Sequence, residues 1–132
     1  MMEVPTRRHP PILWDEVGLA VMTLLYLTTW HPIGLIIAVN GVLCHGSYAL
    51  SLPIATRLRQ WDVACNVAMG AYANLHACGQ PMCGVLTVFA VVAWRLNQYT
   101  ANGWFKSLIH ALNVQLVLLV ALTHFVHACP GR

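Results

Sequence analysis

The feature that most constrains this chain is the length and continuity of its apolar runs. Five such runs follow one another: Ile12–Trp30, Ile33–Ser51, Trp61–Ala77, Gly84–Leu96 and Trp104–Ala128, separated only by short polar connections. Each is continuous rather than alternating, which favours helix over strand. Most approach the roughly 20 residues that a spanning helix needs. Charge is scarce: 58% of the 132 residues are hydrophobic and only 8% are charged, against roughly 25% charged in a soluble domain. With mean hydropathy +0.64, too few charges exist to cover the surface of so small a protein, so the exposed surface is predicted to face lipid. The predicted fold is all-α: a single polytopic transmembrane helix bundle over residues 1–132, with an irregular tail at 1–11. Helices are expected at about 12–30, 33–51, 61–77, 84–96 and 104–128. His31-Pro32 decides the count, because proline disfavours helix in the residue before it. A turn there gives five helices, and a kink fuses the first two and gives four.

Charge placement favours five. In that arrangement the N-terminus, the 52–60 connection and the 97–103 connection share one face. Arg7, Arg8, Arg57, Arg59, Arg95 and Lys106 then lie toward it, and only Arg132 lies opposite. Six of the seven basic residues on one side is a positive-inside bias, predicting a cytoplasmic N-terminus and a lumenal or extracellular C-terminus. No basic run exceeds Arg7-Arg8, which argues against a nucleic-acid partner. The expected partners are the lipid bilayer and other membrane proteins or a second copy of the chain. Asp15 and Glu16 interrupt the approach to the first apolar run, so it does not read as a cleaved signal peptide. Of the five cysteines, Cys78, Cys83 and Cys129 fall at the non-cytoplasmic face, where a disulfide can persist. Cys129 bridged to Cys78 or Cys83 is one reading, and free buried thiols the other.

The informative polar residues cluster around the stretch from Asn40 to Asn66. His45 is near the end of the second segment and Asp62 near the start of the third, across a basic turn holding Pro53, Arg57 and Arg59. His110 enters the fifth segment at the same depth. Ionisable residues inside a membrane usually face the bundle interior or water. Two histidines and a carboxylate form the ligand set of several catalytic zinc sites, which makes His45, His110 and Asp62 a candidate metal trio. Each also has a structural reading: His45 as an interfacial histidine, Asp62 as a helix N-terminal acid or a partner of Arg57 or Arg59, His110 as an interhelical hydrogen-bonding group. Asn40, Asn66, Asn74, Asn113 and Gln115 read as polar contacts between helices. The small residues of the third segment (Ala64, Ala68, Gly70, Ala71 and Ala73) would allow it to pack closely. A weaker polar group (His76, His124 and His127, with Cys78 and Cys129) lies toward the other face. No P-loop, GxGxxG, HExxH or pore-filter sequence occurs.

The stretch HGSYALSLPIATRLRQWD resembles the CREST superfamily of multi-helix membrane proteins, which includes alkaline ceramidases and adiponectin-type receptors. In that family a His closes the second core helix, an Asp opens the third, and a His-x-x-x-His pair starts the last. His45, Asp62 and, in KSLIHALN, His110 match three of these positions. Lys106 stands where the first His of the pair would be, Gly41 stands in place of a serine, and the family has seven helices. The resemblance implies zinc held by His45 and His110, with Asp62 completing the ligand set or holding the metal-bound water as catalytic residue. Hydrolysis of a lipid amide or ester would follow. Two functions are therefore expected: a structural or interaction-mediating membrane protein, as in a membrane complex or a virus's internal membrane, or a CREST-like zinc-dependent hydrolase. A small transporter or channel subunit ranks below both, because charged pore residues are scarce.

Overall fold

A computed structural model describes residues 12–128 as helices joined by short connections, with no strand among the described residues. Helix α1 spans Trp14–Thr23 and continues as a 3-10 segment, Leu24–Thr29. Helices α2 (Pro32–Ala49), α3 (Ala55–Leu75) and α4 (Pro81–Asn97) follow. Helix α5 runs Trp104–Ala128, and its middle, His110–Leu116, is wound as a π-helix.

His31-Pro32 is a turn, so five helices stand. Trp30 is left-handed (φ 51), and His31 is extended (φ −122, ψ 143) with its Nδ1 accepting the amide proton of Ile33 at 3.2 Å. Pro32 then occupies the first helical position, where its missing N–H is no loss and its φ suits the helix. Proline opens α4 in the same way after Cys78 (φ 52) and Gly79 (φ 76) reverse the chain. This moves the start of α4 from the expected Gly84 to Pro81.

A second difference is larger. Only residues 50–54 turn between α2 and α3, with Ser51 left-handed (φ 51) and the Leu52 amide donating to the Ser47 carbonyl at 2.9 Å. The expected basic turn is therefore the opening of α3. Thr56-Arg57-Leu58-Arg59-Gln60 contains no helix breaker, and Arg, Leu and Gln are good helix formers. Asp62 accordingly lies two turns inside α3, not at its N-terminus.

Three hydrogen bonds gather the helix ends at one end of the bundle. The Leu13 amide donates to the Ala49 carbonyl (3.1 Å), Arg59 Nη2 to Gln98 Oε1 (3.1 Å), and Asn97 Nδ2 to the Lys106 carbonyl (3.0 Å). This is the basic end. The opposite, far end holds the Trp30–His31 and His76–Gln80 connections. The apolar core sits toward the far half, around Tyr26, Ile33, Ala77, Cys83, Leu122 and Phe125.

The closest packing is between α1 and α2, not on α3. A Cβ at Gly34 would strike the Tyr26 carbonyl and Thr29, and one at Gly41 would strike the fully buried Thr23 side chain. Gly34, Ala38 and Gly41 form a small-residue seam on α2 that lets the two backbones approach. Of the small residues of α3, Ala73 is buried in the core, whereas Ala64, Ala68 and Ala71 are exposed and the nearest atom to a Cβ at Gly70 is 4.0 Å away.

Helices α2 and α5 are each long and apolar enough to cross a membrane, with mean hydropathy 1.3 and 1.8; α4 is apolar but shorter.

The seam predicts opposite signs for two glycine substitutions one turn and a half apart. Gly41→Ala should destabilise the fold by about 1–3 kcal/mol through overpacking against Thr23. Gly46→Ala meets nothing within 4 Å and should stabilise it by about 0.5–1 kcal/mol, the usual gain of Ala over Gly in a helix. Thermal unfolding of the two purified variants checks both.

Candidate functional site

The residues that the turn at His31 brings opposite each other begin the site. Glu16 is fifteen positions before His31 and His45 fourteen after it, so the α1–α2 hairpin sets them side by side. Glu16 Oε2 and His45 Nδ1 are 2.8 Å apart, with both side chains largely buried. A carboxylate only accepts, so His45 Nδ1 carries the proton in this bond. The His45 ring meets the His110 ring edge to face, centroids 5.7 Å apart. His110 Nε2 in turn lies 3.2 Å from the Gln115 amide nitrogen, which donates to it. The buried Tyr26 hydroxyl, from the 3-10 segment of α1, donates to the Gln115 carbonyl at 2.7 Å. Asp62, buried on α3, is within electrostatic reach of His45 and beside Asn66.

The π-helix is what lets α5 take part. His110 and Gln115 are five residues apart, which in an α-helix would set them about 140° apart around the axis. The wider π turn returns residues five apart toward one face, and both side chains reach the interior there.

The sequence trio is thus brought to one depth, but not as a ligand set. Among the described residues no three His, Cys, Asp or Glu side chains are placed to hold a metal ion. The donor set therefore does not fit the zinc centre that the CREST resemblance implies. His45 Nε2, Asp62 Oδ1 and Asn66 Oδ1 are buried without a hydrogen-bond partner, and Asp62 forms no ion pair with Arg57 or Arg59. The one ion pair among the described residues is Glu16–His45, and Glu16 is the member that the sequence reading overlooked. Its signal was its mirror position to His45 about the His31-Pro32 turn.

The expected polar contacts divide. Asn74 donates to the Gly70 carbonyl (2.8 Å) and to Thr87 Oγ1 (3.1 Å), linking α3 to α4. Gln115 and Asn66 belong to the cluster just described. Asn40 is buried on α2 and Asn113 half-buried on α5, and neither side chain bonds to another helix among the described residues. At the far end, His76 and His127 donate to carbonyls of their own helices, Tyr72 (2.9 Å) and Thr123 (2.7 Å), and His124 is exposed. Cys129 lies outside the described residues. Cys78 is disulfide-bonded, while Cys83 is a buried free thiol, so the Cys83 pairing is corrected. Cys83 faces the core from the first turn of α4.

Two cavities bear on what the cluster can do. One of about 40 Å³ touches it through Tyr26, Asn66 and Gln115 and is otherwise lined mostly by apolar side chains. That is far below the roughly 300–1,000 Å³ of a small-molecule pocket. A larger crevice of about 350 Å³ opens at the far end, lined by Asn74, Ala77, Gly79, Gln80, Pro81 and Gly84, none of them titratable. Room and reactive groups do not coincide. Comparison with family models, curated proteins and solved structures finds no match for this chain, so the CREST resemblance rests on the quoted residues alone.

Two substitutions test the cluster as a structural device. Glu16→Ala leaves His45 without its partner and should cost about 1–3 kcal/mol, whereas Glu16→Gln keeps an acceptor and should cost less. Tyr26→Phe removes the bond to the Gln115 carbonyl and should cost about 1 kcal/mol. Unfolding midpoints in one detergent, with helicity checked by circular dichroism, give the comparison.

Proposed function

We propose that this chain is a small multi-pass membrane protein whose role is structural: a helical subunit that assembles with other membrane proteins or with itself. The observation that carries this reading is the large apolar side chains exposed on all five helices, among them Val21, Leu43, Val67, Val88 and Leu112. A chain in water rarely leaves such a surface uncovered. Helix length supports the same reading. At about 1.5 Å per α residue and 2.0 Å per 3-10 residue, the five helices reach about 25 to 35 Å, near the roughly 30 Å of a bilayer's hydrocarbon core. The 3-10 segment lengthens α1 toward that value with few residues.

Tryptophan supports it too. Trp14, Trp61, Trp94 and Trp104 lie toward the basic end and Trp30 toward the other, as expected of side chains seated at the two interfaces. The basic end would be cytoplasmic. A structural role is favoured over hydrolysis because the polar cluster is spent on helix contacts and has neither a ligand set nor a substrate-sized cavity.

Tags on the two termini should report opposite sides of the membrane, and a shared side would defeat the five-pass reading. Purification in mild detergent should yield a defined oligomer or a stable partner; a persistent lone monomer counts against assembly. Metal analysis separates the hydrolase reading, since near-stoichiometric zinc lost on both His45→Ala and His110→Ala would reinstate it.

A further inference from the structure

Every Asp, Glu, Lys and Arg among the described residues belongs to the basic-end half of the bundle. The cations and anions there are not equivalent. Asp62 is buried within the bundle and Glu16 is taken by His45, which leaves Asp15 as the exposed acid. Arg57, Arg59 and Arg95 are exposed and Lys106 is half-buried. None of the four has a carboxylate partner among the described residues. Their contacts hold them at the rim: Arg59 donates to Gln98, and the Arg95 guanidinium lies over the Trp94 ring at 5.9 Å. The Arg59–Gln98 bond and the bond from Asn97 to the Lys106 backbone carbonyl join the ends of α3, α4 and α5, so the four cations share one end of the bundle rather than lying on separate loops. Trp61 and Trp104, each two residues along the chain from one of these cations (Arg59 and Lys106), carry exposed indoles.

We propose that this rim is a binding surface for anionic phospholipid headgroups. The inference rests on the membrane reading above and goes further, to the class of lipid and the residues that select it. A guanidinium forks two N–H donors onto a phosphate. In phosphatidylcholine the phosphate charge is offset by choline; in phosphatidylglycerol or phosphatidylserine a net negative charge remains for the rim to attract. The indoles seat at headgroup depth and hold the cations at that level. Clustered cations just outside the hydrocarbon core attract anionic lipid and are screened by salt. The far end, with no Lys or Arg among the described residues, has no such attraction.

The test uses the full chain reconstituted in phosphatidylcholine vesicles. These contain a minor, fixed fraction of acyl-brominated phosphatidylglycerol or, in parallel, brominated phosphatidylcholine. Bromine quenches nearby tryptophan. Brominated phosphatidylglycerol should quench the wild-type protein as though enriched about threefold at low salt, and the excess should vanish at high salt. A protein retaining only Trp104 should keep the preference, and one retaining only Trp30 should quench equally with both lipids. The combined Arg57→Gln, Arg59→Gln, Arg95→Gln and Lys106→Gln protein should lose the preference at Trp104. The wild-type salt series reads the same interaction should that variant fail to fold. Equal quenching of Trp104 by both lipids at low salt overturns the proposal, as does an equal preference at Trp30. Quenching by neither lipid at any tryptophan instead defeats the membrane reading itself.

Discussion

The close approach of α1 and α2 is the constraint on which the rest depends. Glycine at positions 34 and 41 lets α2 lie directly against the Thr23 and Thr29 side chains and the Tyr26 carbonyl, with no side chain of its own between. At that distance the hairpin has one register, and the register sets Glu16 on His45 and the Leu13 amide on the Ala49 carbonyl. Tyr26, held in the same contact, directs its hydroxyl across the bundle to the carbonyl of Gln115. A packing seam on one helix thereby fixes where a third helix can sit.

The two departures from α-helical winding serve the same cluster. The 3-10 segment carries Tyr26, and the π segment carries both His110 and Gln115. Each puts a polar group where regular winding would turn it elsewhere. The Tyr26 bond is short and buried (2.7 Å), the Gln115–His110 bond longer and partly buried (3.2 Å), and an unpaired polar group at a buried position costs about 1–3 kcal/mol. The irregular winding is thus compensated by satisfied hydrogen bonds, though His45 Nε2, Asp62 Oδ1 and Asn66 Oδ1 stay outside the network.

Much of the architecture was legible in the residues. Apolar runs and short connections were enough for five helices, and Pro32 after His31 marked the first turn. The bounds of α5 were readable because Gly103, with φ 141, stops the chain before Trp104. The start of α3 was misjudged because arginines beside a proline resemble a loop, although arginine is a good helix former. The depth shared by His45, Asp62 and His110 followed from topology. Their actual partners did not: Glu16 pairs by hairpin register, and Gln115 reaches His110 through a π turn that no sequence period announces. Close packing was expected along the small residues of α3, of which Ala73 is buried but Ala64, Ala68 and Ala71 are exposed, because small residues are necessary for close approach but do not say which face has a neighbour.

The far end has a consequence for how such a chain enters a bilayer. Its two connections, Trp30–His31 and His76–Gln80, contain no Asp, Glu, Lys or Arg. In the membrane orientation proposed above, these are the segments that must be carried across the hydrocarbon layer. Each closes a helical hairpin, α1 with α2 and α3 with α4. A hairpin whose tip bears no fixed charge can cross as a unit with its backbone already hydrogen-bonded, while the arginines at its base resist following. The asymmetry that orients the finished protein would then also set the direction of its insertion.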